Sequence, residues 1–382
     1  MKIAKRVDKL GTEAVYNIFA NTKKLIKQGK KIIDLSLGQS DFKSPKHAVD
    51  AAIKALEDGH HGYTLPNGMI ECREAVSRKI KNLYKANIDP ERIIIMPGGK
   101  PTMSFAISFF GEPGAEIVYP DPGFPIYESM INFTGAKSIS YDMTKNKDFS
   151  INPEKILEMI NTKTRLLILN NPHNPTGGFT NKNAIDELVK GLKKFPDLVI
   201  LSDEVYDRLI FGKEEIPTLL NYPEIYDRLI VLNGWSKTYA MTGWRLGWGV
   251  WPEKLIESVF KFCVNNHSCV NTPAQYGAIA ALDGPEDHLN NMIKEFSTRR
   301  KLIVEGLRSL KGVECSLPGG SFFVFPNVKN TGMNGEEFTQ KCLEEAGVAM
   351  IPGTAFGKFA THNVRINFAT SKENISKAIE KI

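Results

Sequence analysis

Short apolar runs that end in glycine or polar residues recur through the middle of this chain. They are Ile93 to Met96, EIVYP (Glu116 to Pro120), RLLILNNP (Arg165 to Pro172), LVILSDE (Leu198 to Glu204) and Leu229 to Leu232. Each is too short for a helix and too apolar for a strand with one wet face, so each predicts a strand buried on both sides. Helical periodicity fills the intervals, and strand alternating with helix implies a mostly parallel sheet covered on both faces. Such sheets gather ligands at the carboxyl ends of their strands. The polar residues follow that rule. Gly98, Gly99 and Lys100 end the first run, Asn170 and Asn174 the third, Asp203 and Tyr206 the fourth, and Ser236 and Lys237 follow the fifth after a turn through Asn233 and Gly234.

The flanks read differently. Ile32 to Phe42 predicts a short alternating strand that turns at Gly38. Pro45 to Asp58 and Ile70 to Tyr84 predict helices, separated by the aromatic loop HGYTLPNG, His61 to Gly68. From Pro285 a long polar helix runs to Leu310, and the later segments GGSFFVFPNV and VRINFAT alternate as antiparallel strands do. The expected plan is an α/β protein with a large domain over residues 45–284 and a smaller α+β domain over 285–382, with residues 1–44 an arm that joins the smaller domain.

Length and composition agree with this plan and narrow the partners. A chain of 382 residues is too long for one simple core, and 42% hydrophobic with 24% charged residues is ordinary for a soluble globular protein. No apolar run approaches a membrane span, and the opening MKIAKRVDKL has no leader-like apolar stretch, so a cytoplasmic location is expected. Cys72, Cys263, Cys269, Cys315 and Cys342 are odd in number and widely spaced, which predicts reduced thiols rather than a disulfide frame or a zinc site. The net charge of +6 is local, because the first 31 residues hold nine Lys and Arg against Asp8 and Glu13. That arm also has an apolar face, Val15, Ile18, Phe19, Leu25 and Ile26, and no nucleic-acid-binding motif accompanies it. It is expected to lie on the protein or on a partner subunit, with no nucleic acid or membrane as partner. His60 and His61 lack a third ligand at a telling spacing and are read as loop residues, so no metal is expected.

Lys237 stands out among these side chains because Trp235, Tyr239 and Trp244 flank it. An ammonium is costly to bury, so a lysine among aromatic residues either reaches water or is held neutral for a chemical task. Imine formation with an aldehyde fits that task, with Arg245 as the neighbouring cation. Gly98 and Gly99 precede a helix, whose free N–H groups attract phosphate, but Pro101 follows Lys100 and rules out a Walker motif. Asp203 either caps a helix or holds a cationic ring nitrogen protonated. Arg365, between Val364 and Ile366, needs an anion, either a substrate carboxylate or a structural acid.

In their order and spacing, NNPHNPTGG (Asn170 to Gly178), SDEVYDRLIF (Ser202 to Phe211), SKTYAMTGWRLGW (Ser236 to Trp248) and VRINFATS (Val364 to Ser371) resemble the fold-type-I, class I and II pyridoxal-phosphate-dependent aminotransferases. Within that family the aspartate aminotransferase subgroup looks most similar. The resemblance implies a seven-stranded sheet in the large domain, pyridoxal phosphate as cofactor and a homodimer with shared sites. It implies that Lys237 attaches the cofactor and acts as base, that Asp203 pairs with the pyridine nitrogen, and that Tyr206 and Asn174 bond the ring oxygen. Gly99, Lys100 and Arg245 would hold the phosphate, with Ser236 a further candidate because Gly234 stands where some relatives have serine. Phe124 would stack on the ring, and Tyr63 would reach a partner's phosphate. Arg365, Gly38 and Asn174 would bind the substrate carboxylate, and the arm would cross to the neighbour. Lys100 either meets a distal substrate carboxylate, which favours aspartate with 2-oxoglutarate, or faces solvent or phosphate. Phe19, Tyr63 and Phe124 favour the alternative of an aromatic or kynurenine aminotransferase, and a C–S lyase on the same fold would use the same set of residues.

Overall fold

The computed structural model describes residues 1–11, 14–212 and 217–382, and the side chains of Ala14, Asn17 and Phe19 lie outside that description. In chain order its strands are β1 (Ile33–Asp34), β2 (Ile93–Met96), β3 (Glu116–Asp121), β4 (Lys137–Asp142), β5 (Thr164–Asn170) and β6 (Val199–Asp203). They continue with β7 (Leu229–Gly234), β8 (Gly247–Val250), β9 (Phe323–Val324), β10 (Val348–Ala349), β11 (Ile351–Pro352) and β12 (Val364–Asn367).

Seven of them form one sheet in the order β2-β8-β7-β6-β5-β3-β4. The pairs between β7 and β4 are parallel, whereas β8 runs antiparallel to both of its neighbours. The apolar runs form strands here because both faces are covered. Ile93, Ile94, Ile95 and Met96 are all fully buried. Ile93 and Ile95 point into a core shared with Cys72, Val76, Leu188 and Ala278 of the helices Ile70–Tyr84, Lys182–Leu192 and Thr272–Asp283. Ile94 and Met96 point into the opposite core, with Met103, Ile131 and Val259 of the helices Lys100–Phe110, Ile126–Thr134 and Ile256–Asn266. The period of two along a strand thus feeds two separate cores.

A three-stranded antiparallel sheet, β11-β12-β9, and the parallel pair β1-β10 pack with the helix Asp287–Ser309. Their core holds Phe296, Ile303, Phe322, Phe323, Val364, Ile366 and Phe368, and Leu35 from the start of the chain joins it. The first residues of the basic arm, expected to lie on the protein or on a partner subunit, run along the helix Ile126–Thr134 of their own chain. Gly11 N donates to Ser129 Oγ at 2.9 Å, and the Arg6 guanidinium sits over the Phe133 ring. No helix among the described residues is long and apolar enough to cross a membrane.

Several elements depart from the sequence reading. The alternating strand expected over Ile32 to Phe42 shrinks to two residues, because past Asp34 the backbone turns onto a side chain, with Ser36 N donating to Asp34 Oδ1 at 2.9 Å. The predicted turn at Asn233 and Gly234 is instead the end of β7, where these residues pair with Trp248 and Gly247. Finally, β4, β8 and the two-residue strands β10 and β11 are ones the pattern did not predict. β4 lies at the sheet edge and alternates polar residues, and β8 reads GWGV, with glycine weakening its strand signal.

Candidate active site

The site lies where β5, β6 and β7 end. Past Gly234 the chain makes a single helical turn, Trp235–Thr238. Trp235 is fully buried on the core side of this turn, and its indole N–H donates to Ala278 O at 3.0 Å. That anchor leaves Lys237 facing a cavity, where its Nζ donates to Gly38 O at 2.6 Å. The rings around this amine are not its sequence neighbours, as had been expected. Tyr239 packs into the core below and Trp244 donates to Ser44 Oγ at 3.0 Å, whereas Tyr206 and Phe322 lie 5.9 and 5.6 Å from Nζ. Burial, followed by the charges of Arg365 and then Arg245, lowers the Lys237 ammonium to about 8, against the pull of Asp203. Arg365 is therefore the stronger neighbouring cation, and the expected Arg245 is second.

Asp203, the last residue of β6, accepts from the Tyr127 hydroxyl at 2.7 Å and from Val205 N at 3.3 Å. Burial raises its carboxyl to about 6, and these two donors and Lys237 oppose that shift. Asn170, at the end of β5, locks the neighbouring strand ends together. Its Nδ2 donates to Asp203 O at 2.9 Å, and its Oδ1 accepts from Asn174 N at 2.8 Å. Burial also raises the Tyr206 phenol, so it is a neutral hydrogen-bond donor at ordinary pH.

Arg365 enters from β12 with 3% of its surface exposed. Its guanidinium donates to Asn174 Oδ1 at 3.2 Å and to Ser36 O at 2.6 Å. The Phe323 and Phe356 rings lie 4.4 and 4.7 Å from its Cζ, so two aromatic faces hold the cation in a desolvated slot. A Cβ on Gly38 would lie 3.2 Å from the Phe323 ring, and glycine is what lets this backbone pass close by.

Gly98 has a φ of +89°, and a Cβ there would run into the Arg245 guanidinium. A Cβ on Gly99 would meet Leu232 Cδ2 at 3.0 Å, and one on Gly247 would collide with the Gly98–Gly99 backbone. The three glycines thus form a cradle at the N-terminus of the helix Lys100–Phe110, with Arg245 beside it. The Lys100 ammonium lies 5.6 Å from the Tyr16 ring and 5.4 Å from the Phe124 ring.

One cavity of about 750 Å³ takes in every residue expected to hold the cofactor or the substrate except Tyr63, while Phe19, named for the aromatic alternative, has its side chain outside the described residues. Gly38, Gly99, Lys100, Phe124, Asn174, Asp203, Tyr206, Ser236, Lys237, Arg245 and Arg365 all line it. Tyr63 is 93% exposed and lies on the outer surface. Sequence reasoning missed the parts played by Tyr127, Phe323, Phe356 and Tyr16. The first stands in the run PDPGFPIY three residues after Phe124, and that spacing was the only available signal. The others reach the cavity through tertiary packing.

The donor set fits pyridoxal phosphate. The glycine cradle, the helix N-terminus and Arg245 suit a phosphate. A buried carboxylate suits a cationic ring nitrogen, a lysine held near neutrality suits an aldehyde, and Tyr206 with Asn174 suits a ring oxygen.

The family model of the class I and II aminotransferases matches residues 30–382. A probable aspartate aminotransferase of Methanocaldococcus jannaschii is 38% identical over 356 residues, which is 91% of each chain. Among solved structures, the aspartate aminotransferase of Thermus thermophilus with maleate superposes with a TM-score of 0.93 at 29% identity, over all of this chain and 98% of its own. A Methanococcus jannaschii protein, described as similar in its active site to kynurenine aminotransferases, does so with a TM-score of 0.90 at 35% identity, over all of this chain and 98% of its own. With a family match over residues 30–382 and a cavity whose donors suit the cofactor, the chain belongs to the class I and II aminotransferases, which depend on pyridoxal phosphate.

Proposed function

We propose that this aminotransferase moves the amino group of L-aspartate to 2-oxoglutarate by a ping-pong mechanism. The observation that carries the choice of acidic substrates is the pair of cations, Arg365 and Lys100, lining one cavity with Lys237. A dicarboxylate has one anionic group for each. The relatives named aspartate aminotransferases support the same reading, as does the maleate of the Thermus thermophilus structure, itself a dicarboxylate.

Bound pyridoxal phosphate would supply an electron-withdrawing ring that stabilises negative charge at the substrate α-carbon. The chain's own residues do the rest. Lys237 Nζ is the attachment point, and once free it takes the α-proton, a role suited to an amine lowered to about 8. Asp203, anionic at neutral pH, keeps the ring nitrogen protonated. Arg365 fixes the α-carboxylate and so aligns the Cα–H bond, and the Phe323 and Phe356 rings keep water from the guanidinium. Lys100 selects for a distal carboxylate. The Lys100→Met variant is expected to lower kcat/KM for aspartate by about 10- to 100-fold and to leave that for alanine within about threefold. An unchanged ratio of aspartate to alanine would remove Lys100 from the assignment.

An aromatic or kynurenine substrate is the second reading, favoured by the Tyr16 and Phe124 rings close to the Lys100 ammonium. The visible absorption of the purified holoprotein decides between the two. Bleaching by aspartate at lower concentration than by phenylalanine or kynurenine, and recovery with 2-oxoglutarate, are expected. The reverse order would establish the aromatic reading.

The cytoplasmic homodimer belongs to the same proposal. Tyr63 at 93% exposure, with Ile53, Leu56, Leu65 and Ile70 exposed in the same stretch of chain, suits a surface covered by a second copy. So does the division into a large domain, 45–284, and a small one, 285–382 with 1–44, closing on substrate. The core around Phe296 and Ile366, drawn mostly from 285–382 with Leu35 of the arm and only Tyr206 and Leu209 buried in it from the large domain, and the entry of Arg365 from β12, support it.

A further inference from the structure

Asp121 ends β3 at the carboxyl edge of the large sheet, and only 2% of it is exposed. Its carboxylate faces the backbone of a segment more than 200 residues later, accepting from Lys358 N and Phe359 N at 3.3 Å each. The fit on this side leaves no room for a side chain. Gly357 has a φ of +153°, and a Cβ there would run into Asp121 Oδ1. Two residues past Asp121, Gly123 N donates to Phe356 O at 2.8 Å. The turn Gly353–Phe356 is thus pinned to the sheet edge at the Phe356 carbonyl and again two and three residues beyond it. Phe356 itself is 5% exposed and forms one of the two aromatic walls of the Arg365 slot, 4.7 Å from Cζ.

A buried carboxylate is an expensive way to hold two backbone N–H groups, and burial does push this one above its ordinary value. Such a cost is borne where position matters. We propose that Asp121 is a positioning residue for the substrate α-carboxylate: by clasping the backbone of residues 357–359 it sets the Phe356 ring against Arg365 and keeps the guanidinium aligned and dry. The proposal rests on the reading of Arg365 as the carboxylate anchor. It differs from that reading in giving the anchor's geometry to a residue of the large sheet that does not touch substrate.

The test uses the full-length holoenzyme with whichever of aspartate, alanine or phenylalanine the wild type turns over best. Asp121→Ala and Gly357→Ala act on the clasp from opposite sides. Both are expected to raise KM for the amino acid, and the dissociation constant of succinate or propionate, by about tenfold or more, with kcat within about threefold. Asp121→Asn, which keeps one acceptor oxygen, is expected to fall between Asp121→Ala and wild type. Pyridoxal phosphate affinity, read by absorbance titration of the apoprotein, is expected to stay at the wild-type value in all three. A purely structural role would instead weaken cofactor binding and lower the melting temperature together, and that result would overturn the proposal. So would an unchanged KM, or a fall in kcat at constant KM. Arg365→Lys separates the two layers. If it raises KM and the Asp121 variants do not, the clasp is wrong and the anchor stands; if it leaves KM unchanged, the anchor reading itself fails.

Discussion

Lys237 and Asp203 line the same cavity with opposite shifts, and each predicts a measurable pH response. The Lys237 ammonium falls from an ordinary 10.5 to about 8. Below pH 8 both folded and unfolded chains hold this proton, and between about 8 and 10.5 only the unfolded chain does. Folding stability of the apoprotein therefore gains from rising pH in that window. The urea-unfolding free energy of wild type, minus that of Lys237→Met, is expected to increase from pH 8 to 10; a constant difference would refute the shift. At Asp203 the hydroxyl of Tyr127 helps to keep the carboxylate charged. Tyr127→Phe removes that donor without changing the ring. It is expected to raise the carboxyl further above about 6 and to weaken pyridoxal phosphate binding by about 1–3 kcal/mol in equilibrium dialysis. Unaltered affinity would make Tyr127 a packing residue only. Lys237, Asp203 and Arg365 were legible in the sequence, because a charge set among apolar neighbours requires a partner. Tyr127, Phe323 and Phe356 were not, because an aromatic side chain among apolar residues looks the same whether it packs a core or walls a site.

The strands that the sequence made plain are those with both faces in a core, such as β2 with every residue buried. Among those it hid are β4, whose polar alternation suits an edge, β8, whose Gly247 serves close approach to the Gly98–Gly99 backbone, and the two-residue strands β10 and β11. Glycine has the same use between helices. In the helix Thr272–Asp283, a Cβ on Gly277 would lie 2.8 Å from Ala48 O and 2.6 Å from the Trp244 ring. Gly277→Val is therefore expected to push this helix away from the helix Lys46–Glu57 and to cost about 1–3 kcal/mol, seen as a lower urea midpoint. Because Trp244 stands next to Arg245, the same variant should also loosen the cofactor. A midpoint equal to wild type would show that the interface relaxes freely.

At the scale of the molecule, the layered α/β plan follows from the alternation of apolar runs with helical segments, and the sheet order does not. Nothing in the local sequence says that β8 lies between β2 and β7, because that pairing joins segments about 150 residues apart. Tyr63 is the one site residue that a single chain leaves outside the cavity, and in the proposed dimer it completes the neighbour's phosphate site. Tyr63→Ala is expected to lower cofactor affinity by about tenfold while the protein still sediments as a dimer of two 42.6 kDa chains. Monomeric wild-type protein with full cofactor affinity would overturn the shared site.

The place of β8 in the sheet also governs the order of assembly. Among the described residues β2 pairs with no strand but β8, and its outer edge is met by Asn67, whose carbonyl accepts from Ile95 N at 3.0 Å, so until residue 250 has been synthesised the edge of Ile93–Met96 that β8 covers stays open. Until then the glycine cradle also lacks Gly247 and Arg245. Cofactor capture is accordingly a late event in folding, reached only after long-range pairing. A chain stalled before β8 is the species in which aggregation competes with folding, and β2 is the surface where that competition begins.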